Sequence, residues 1–214
     1  RFVFEVRDLW PELPKAMGVV KNPLVLLAMA WLEKRAYRAS RHAIGLAPGI
    51  VDGIARHIPR QRVSMIPNGC DLEFLDPQRV QGWRPEAISA SDFLAVFAGT
   101  HGQANGLDAV LNAAAVLKQQ GRSDIKLLLV GDGKLKDSLV ARTRAEQLGN
   151  VIFHGNVSKE RIPGLRAGAD VGMQLLANVP AFYYGTSPNK FFDYLAAGLP
   201  VLNNYPGWVA EMVT

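Results

Sequence analysis

The sequence predicts an α/β protein whose larger part is a Rossmann-like, doubly wound parallel sheet. Three observations carry that prediction. From Phe93 onward, short, largely apolar runs (93–98, 125–130, 151–154 and 171–175) alternate with longer helical stretches. Strands without polar alternation belong to a parallel sheet covered on both faces, and right-handed crossovers wind such units into a doubly wound sheet. The first three of these runs lead straight into glycine, at Gly99, Gly131 and Gly155, which marks the ligand-binding edge of the sheet. With 214 residues, 49% hydrophobic and 20% charged, the chain holds one large domain or one domain and part of another.

Residues 1–77 read as a strand (2–6), a loop carrying Trp10, Pro11 and Pro14, a helix (24–40), a strand (43–46), a helix (49–57) and a strand (63–66), closed by the turn Pro67-Asn68-Gly69. Residues 78–92 are polar, with Gly82, Pro85, Ser89 and Ser91, and read as a linker. The second domain, 93–214, continues through helices at 106–120, up to about 148, and at 159–168, then a short helix after Ser187 and a strand at 200–202. Residues 207–214 read as a helix cut short, and the opening residues as the middle of a strand, so a longer natural chain is expected.

The net charge is +5, and it is unevenly spread. Between Lys21 and Arg62 eight basic residues face only Glu33 and Asp52. They flank the apolar run 23–32, which is too short to span a bilayer. Peripheral contact of residues 21–62 with an anionic membrane is one reading. A buried helix with a charged end is the plainer one, and it is expected. Nucleic acid is not expected, because aromatic residues are not interleaved with the basic ones. A single cysteine, Cys70, excludes an internal disulfide and points to a reducing, cytoplasmic setting.

The chemistry concentrates in 185–202. Ser187 suits an N-cap and Pro188 the first helical position, leaving amides and a helix dipole for an anion. Lys190 adds a charge one turn in, with Asp193 beside it, and Gly198-Leu199-Pro200 ends the helix. Gly99-Thr100-His101-Gly102 and Gly131-Asp132-Gly133-Lys134 each read either as a tight turn or as a loop around a ligand. His101 and His154 read as solvent-facing or hydrogen-bonded loop residues, and no spacing of ligands suggests a metal.

Those stretches, with Ile66-Pro67-Asn68-Gly69-Cys70-Asp71, resemble glycosyltransferase family 4, retaining enzymes of the two-domain GT-B fold. The likeness is greatest to the bacterial branch that builds surface polysaccharide and lipopolysaccharide from nucleotide-activated N-acetylated amino sugars. It implies that 93–214 is most of the donor-binding C-terminal domain and 1–77 the end of the acceptor-binding N-terminal domain. It also implies transfer from a UDP-sugar or related nucleotide sugar to a lipid-linked or saccharide acceptor, without metal or cofactor, at the inner face of the cytoplasmic membrane. Residue by residue, the family's second glutamate falls on Asp193, for the ribose, and its first on Gly185, which has no side chain. The phosphate-binding amides fall on Ser187, Pro188 and Asn189, of which Pro188 has no N–H. The arginine and lysine of the first glycine loop fall on Thr100 and Asn105, which leaves Lys190 as the candidate cation. The implied site comprises Gly99, Thr100, Gly102, Asn105, Gly131, Gly133, Lys134, Gly155, Val157, Ser187, Asn189, Lys190 and Asp193, with the base near 155–158. No catalytic residue is assigned. Arg7, Asp8 and Trp10 either line the acceptor cleft or are structural. A non-catalytic nucleotide-sugar-binding domain and a GT-B-like epimerase are the alternatives. These 214 residues alone are expected to bind nucleotide weakly and turn nothing over.

Overall fold

The computed structural model describes residues 2–213. In chain order the elements are β1 (Val3–Val6), α1 (Glu12–Ala16), α2 (Pro23–Ala39), β2 (His42–Gly45), α3 (Pro48–Ala55), β3 (Val63–Met65), α4 (Leu72–Leu75), β4 (Phe93–Ala98) and α5 (Asp108–Gln119). They continue as β5 (Ile125–Val130), α6 (Lys136–Ala145), β6 (Val151–His154), α7 (Ile162–Ala167), β7 (Val171–Gln174), α8 (Asn189–Ala196), β8 (Val201–Asn203) and α9 (Trp208–Val213). Two compact units result. The first holds the residues up to Asn68, Asn178–Pro188 and those from Tyr205 on; the second holds Gly69–Ala177 and Asn189–Asn204.

The expected linear division at 77 and 92 differs from these units, and Arg84 shows why. Its guanidinium donates to the carbonyls of Gly168 (2.6 Å) and Asp92 (2.7 Å) and to the Asp170 carboxylate (2.9 Å). Trp83 donates its indole N–H to the Arg161 carbonyl (3.0 Å), and the Arg161 guanidinium lies 4.4 Å from the Trp83 ring centre. Ile88 is buried. The expected linker is therefore a strap packed on the second unit, held by side chains that donate to main-chain carbonyls.

In the first unit β1, β2 and β3 form a parallel sheet in that order. Ala43, Val63, Ile50, Val51 and Ile54 make its core with α3. Helix α2 starts as its sequence demands. Pro23 occupies the first turn, and the Asn22 side chain accepts from the Leu24 N–H (2.9 Å). The expectation that this helix is buried is overturned. Tyr37 is its buried residue, packed between the rings of Phe4 and His57, whereas Leu24 (74% exposed), Leu27, Trp31 (64%) and Leu32 face outward. The apolar run at its start is mostly exposed, with Leu26, Met29 and Ala30 half-buried and Met29 and Leu32 lining a cavity with Phe4 and Tyr37.

The second unit is a five-stranded, all-parallel sheet of order β6-β5-β4-β7-β8. Its continuous apolar runs arise because alternate residues of one strand serve two cores. Ala95, Phe97, Leu127 and Leu129 pack with Leu111 and Leu139 from α5 and α6. Leu94, Val96, Leu128 and Val130 pack with Leu165 and Tyr194 from α7 and α8. Strand order reverses at β4, so the crevice beyond the carboxyl end of β4 is where a doubly wound sheet takes its ligand.

Helix α8 is seated by Tyr194, which is fully buried and donates its hydroxyl to the Val96 carbonyl (3.3 Å). The ring lies over Gly172 of β7, where an added Cβ would stand 2.5 Å from a ring carbon. Gly172→Ala is expected to destabilise the protein by about 1–3 kcal/mol through overpacking. Urea unfolding measures this, and an unchanged midpoint would contradict the packing.

Candidate nucleotide site

The loops after β4 and β5 meet backbone to backbone. Gly131 has φ +130°, and a Cβ there would lie 2.1 Å from the Gly99 carbonyl oxygen. Gly133 stands against the His101 carbonyl in the same way, at 2.5 Å. The Gly99 N–H donates to the Val130 carbonyl (3.0 Å) and the His101 N–H to the Asp132 carbonyl (2.8 Å). Only glycine permits this approach. Gly102 closes the first loop by accepting from the Asn105 N–H (3.1 Å).

His101 corrects its expectation. Its ring is fully buried between Phe97 and Phe153, away from solvent. Burial, then the nearby Lys136 charge, hold its imidazole below the ordinary value. It packs as a neutral aromatic under the loop. His154 is half-buried, with Nδ1 3.0 Å from the Gly155 carbonyl, and follows the hydrogen-bonded expectation.

Two adjoining cavities open at this edge. The smaller, about 350 Å³, is walled by Gly99, Thr100, Gly131, Asn156, Val157 and Arg166, among others. The larger, about 970 Å³, is walled by Cys70, Asp71, Val157, Arg166, Asn189 and Asp193, among others. Gly99, Thr100, Gly131, Val157, Asn189 and Asp193 thus lie on the walls of these two cavities. Lys134 is exposed and lies outside these walls. The lysine that turns inward there is Lys136, whose Nζ donates to the Gly131 carbonyl (3.0 Å).

Lys190 reaches beneath the first glycine loop. Its Nζ donates to Asn105 Oδ1 (3.1 Å), while Asn105 Nδ2 donates to the Thr100 carbonyl (2.7 Å). The ammonium lies 4.4 Å from the Phe97 ring centre. No carboxylate pairs with it among the described residues, and burial lowers its pKa to about 8. Asp193, one turn further along α8, accepts from Arg166 Nη2 (2.9 Å).

Ser187 departs from the N-cap expectation. Helix α8 begins at Asn189, and Ser187 belongs to the first unit, where its hydroxyl accepts from the Asn68 N–H (3.0 Å) and its carbonyl from the Asn68 side chain. Gly185 has no room for a side chain, since a Cβ would stand 2.3 Å from the Ala181 carbonyl oxygen. In the same unit Arg7, Asp8 and Trp10 line a cavity of about 360 Å³ with Glu33 and Tyr37. Burial raises the pKa of Asp8 against the opposing pull of Arg7. Burial likewise raises Glu33, against hydrogen bonds from the Tyr37 hydroxyl (2.5 Å) and the Trp10 N–H (3.2 Å).

The residue that sequence reasoning missed is Arg166. A faint signal existed, for it is the one charge in the apolar run Ile162–Ala169. Among the described residues no group of three or more His, Cys, Asp or Glu side chains is placed to hold a metal.

Over 150 residues, 68% of its length, the chain is 29% identical to "Putative glycosyltransferase EpsF" of Bacillus subtilis (strain 168), covering 37% of that protein. Among solved structures, Anabaena HepE in complex with UDP and glucose superposes with a TM-score of 0.70 at 19% identity, over 99% of this chain and 55% of HepE. WaaG, a glycosyltransferase involved in lipopolysaccharide biosynthesis, superposes with a TM-score of 0.69 at 18% identity, over 99% of this chain and 58% of WaaG. The chain thus spans about half the length of these structures, and they share its α/β, GT-B-type fold. Residues 92–214, more than half of the sequence, match the family model "Glycosyl transferases group 1", and the chain belongs to that family.

Proposed function

We propose that this chain is the nucleotide-sugar-binding part, with the end of the acceptor-binding part, of a retaining family 4 glycosyltransferase. Its donor is a UDP-sugar or related nucleotide sugar, with an N-acetylated amino sugar as the transferred group, and its acceptor is lipid-linked or a saccharide. The carrying observation is Lys190, a half-buried ammonium without a carboxylate partner beside a glycine loop that only backbone can approach. The charge of a departing nucleoside diphosphate is what such a group would stabilise, and it would do so without metal. Asp193 would hold the ribose, and the loop at Asn156 and Val157 the base. Gly185 favours a second reading, a binding domain without transfer, because the family's first glutamate has no counterpart there. A transfer assay on the longer protein separates the two, and transfer by these 214 residues alone would contradict the division of labour proposed.

Lys190 gives the donor site a pH signature. Its folded pKa lies below the ordinary lysine value, so the ammonium is present below about pH 8 and lost above it. A terminal phosphate is fully ionised above pH 7. UDP affinity measured by calorimetry is therefore expected to hold at pH 7 and fall as pH rises past 8. Lys190→Met is expected to weaken binding about 10–100-fold at pH 7 and to flatten the profile. A profile that falls equally in both proteins would refute the assignment.

The glycine contact makes a separate demand. Gly131→Ala forces the β4 and β5 loops apart, so UDP binding is expected to disappear while far-UV circular dichroism stays that of the parent. Retained affinity would show that the loops do not shape the site.

The exposed start of α2 supports peripheral contact of residues 21–62 with the anionic inner face of the cytoplasmic membrane. Leu24, Leu27, Trp31 and Leu32 face outward near Lys34, Arg35 and Arg38. Among the described residues no helix is long and apolar enough to cross a membrane. Sedimentation with phosphatidylglycerol vesicles, but not with phosphatidylcholine, is expected, and Trp31→Glu should reduce it severalfold. Equal pelleting with both lipids would exclude the charge-assisted contact.

A further inference from the structure

We propose that Arg166 is a positioning residue for the donor nucleotide, fixing the Asp193 carboxylate so that its free oxygen meets the ribose diol. This rests on the nucleotide-sugar reading above. Arg166 lies on α7, and its side chain is 7% exposed, so a full positive charge has been taken from water. That costs several kcal/mol unless a partner compensates. The compensation is minimal. A single bond runs from Nη2 to Asp193 Oδ2 (2.9 Å), the buried Nε has no partner, and the guanidinium carbon lies 5.6 Å from the Tyr194 ring centre. A pair selected for stability alone would use the two-pronged geometry of which arginine and carboxylate are capable.

What the one-pronged pair achieves is placement. Arg166 walls both cavities, so it stands where the glycine-loop cavity runs into the one that holds Asp193. Its donation occupies Oδ2 only, and no described residue donates to Oδ1. The carboxylate therefore keeps an acceptor available with its rotamer already set, which lowers the ordering cost when hydroxyls arrive. Asp71 walls the same cavity and caps α4 by accepting from the Phe74 N–H (3.0 Å). A truncated Asp193 would strand the arginine, so Asn, whose carbonyl oxygen can still accept from Arg166 while its Nδ2 takes the place of the ribose-facing carboxylate oxygen, is the informative replacement.

The test compares UDP with 2′-deoxy-UDP and inorganic diphosphate, by calorimetry on the purified chain. The parent is expected to prefer UDP over its deoxy analogue by about tenfold, the scale of one charge-assisted hydrogen bond. Asp193→Asn should bring that preference to within about twofold. Arg166→Met should do the same, Arg166→Lys should restore part of it, and Arg166→Met with Asp193→Asn should lose nothing further. Diphosphate affinity should stay within about twofold throughout. If Asp193→Asn loses the preference and folded Arg166→Met or Arg166→Lys keeps it in full, Arg166 does not position the carboxylate. If Arg166→Met weakens diphosphate as much as UDP, the arginine acts on phosphate and the proposal fails. If Asp193→Asn itself keeps the preference, the ribose placement is what falls. Thermal melts identify folded variants, and should Arg166→Met not fold, the Arg166→Lys comparison decides alone.

Discussion

A parallel sheet buried on both faces leaves its polar chemistry one outlet, the carboxyl edge of its strands. Every feature of the second unit follows from that constraint. Alternate residues of β4 and β5 are spent on two cores, and Ala98 and Val130 at the strand ends reach the cavity wall. What remains are loops, and the loops after β4 and β5 are drawn together until the Gly131 Cα faces the Gly99 carbonyl. Main-chain groups thereby line a cavity that larger residues would fill. The helices that cover the sheet then bring charge to the same edge, with Lys190 and Asp193 from α8 and Arg166 from α7.

Much of this was legible in the residues, and the failures have physical causes. The bounds of β4, β5 and β6 follow from largely apolar runs that end in glycine. The α2 helix misled because its apolar start looks like core by composition, while burial depends on what packs against it, and Tyr37 is the buried residue of this helix. Residues 78–92 looked like a linker because polar residues usually face water. Arg84 instead satisfies carbonyls at a helix end and a turn. Ser187 had the right identity for a cap, yet its hydroxyl is taken by Asn68, more than a hundred positions earlier. Pairings of that reach leave no local pattern.

Arg166 was missed for a related reason. A single arginine in an apolar helical stretch is ordinarily a surface residue whose stem covers the core. Its role is visible only once α7 and α8 are adjacent and Asp193 lies at 2.9 Å. The glycine loops, by contrast, were legible because backbone constraints are written in residue type.

The loss of basic residues from the first glycine loop need not weaken the site. Asn105, where a lysine is usual in the resembling family, accepts from the Lys190 ammonium and donates to the Thr100 carbonyl. An ammonium at 105 would stand beside that of Lys190 and repel it. Asparagine removes the repulsion and supplies an oxygen, so the charge is carried by α8, which is seated through Tyr194, and no longer by the loop. The two cations that result differ in kind. Lys190 is a desolvated point charge that gains most from an incoming anion, whereas Arg166 has one arm committed to Asp193. One suits the charge of an incoming anion, the other the orientation of a neighbouring carboxylate. That division follows from side-chain chemistry and burial alone, and it explains why neither residue substitutes for the other.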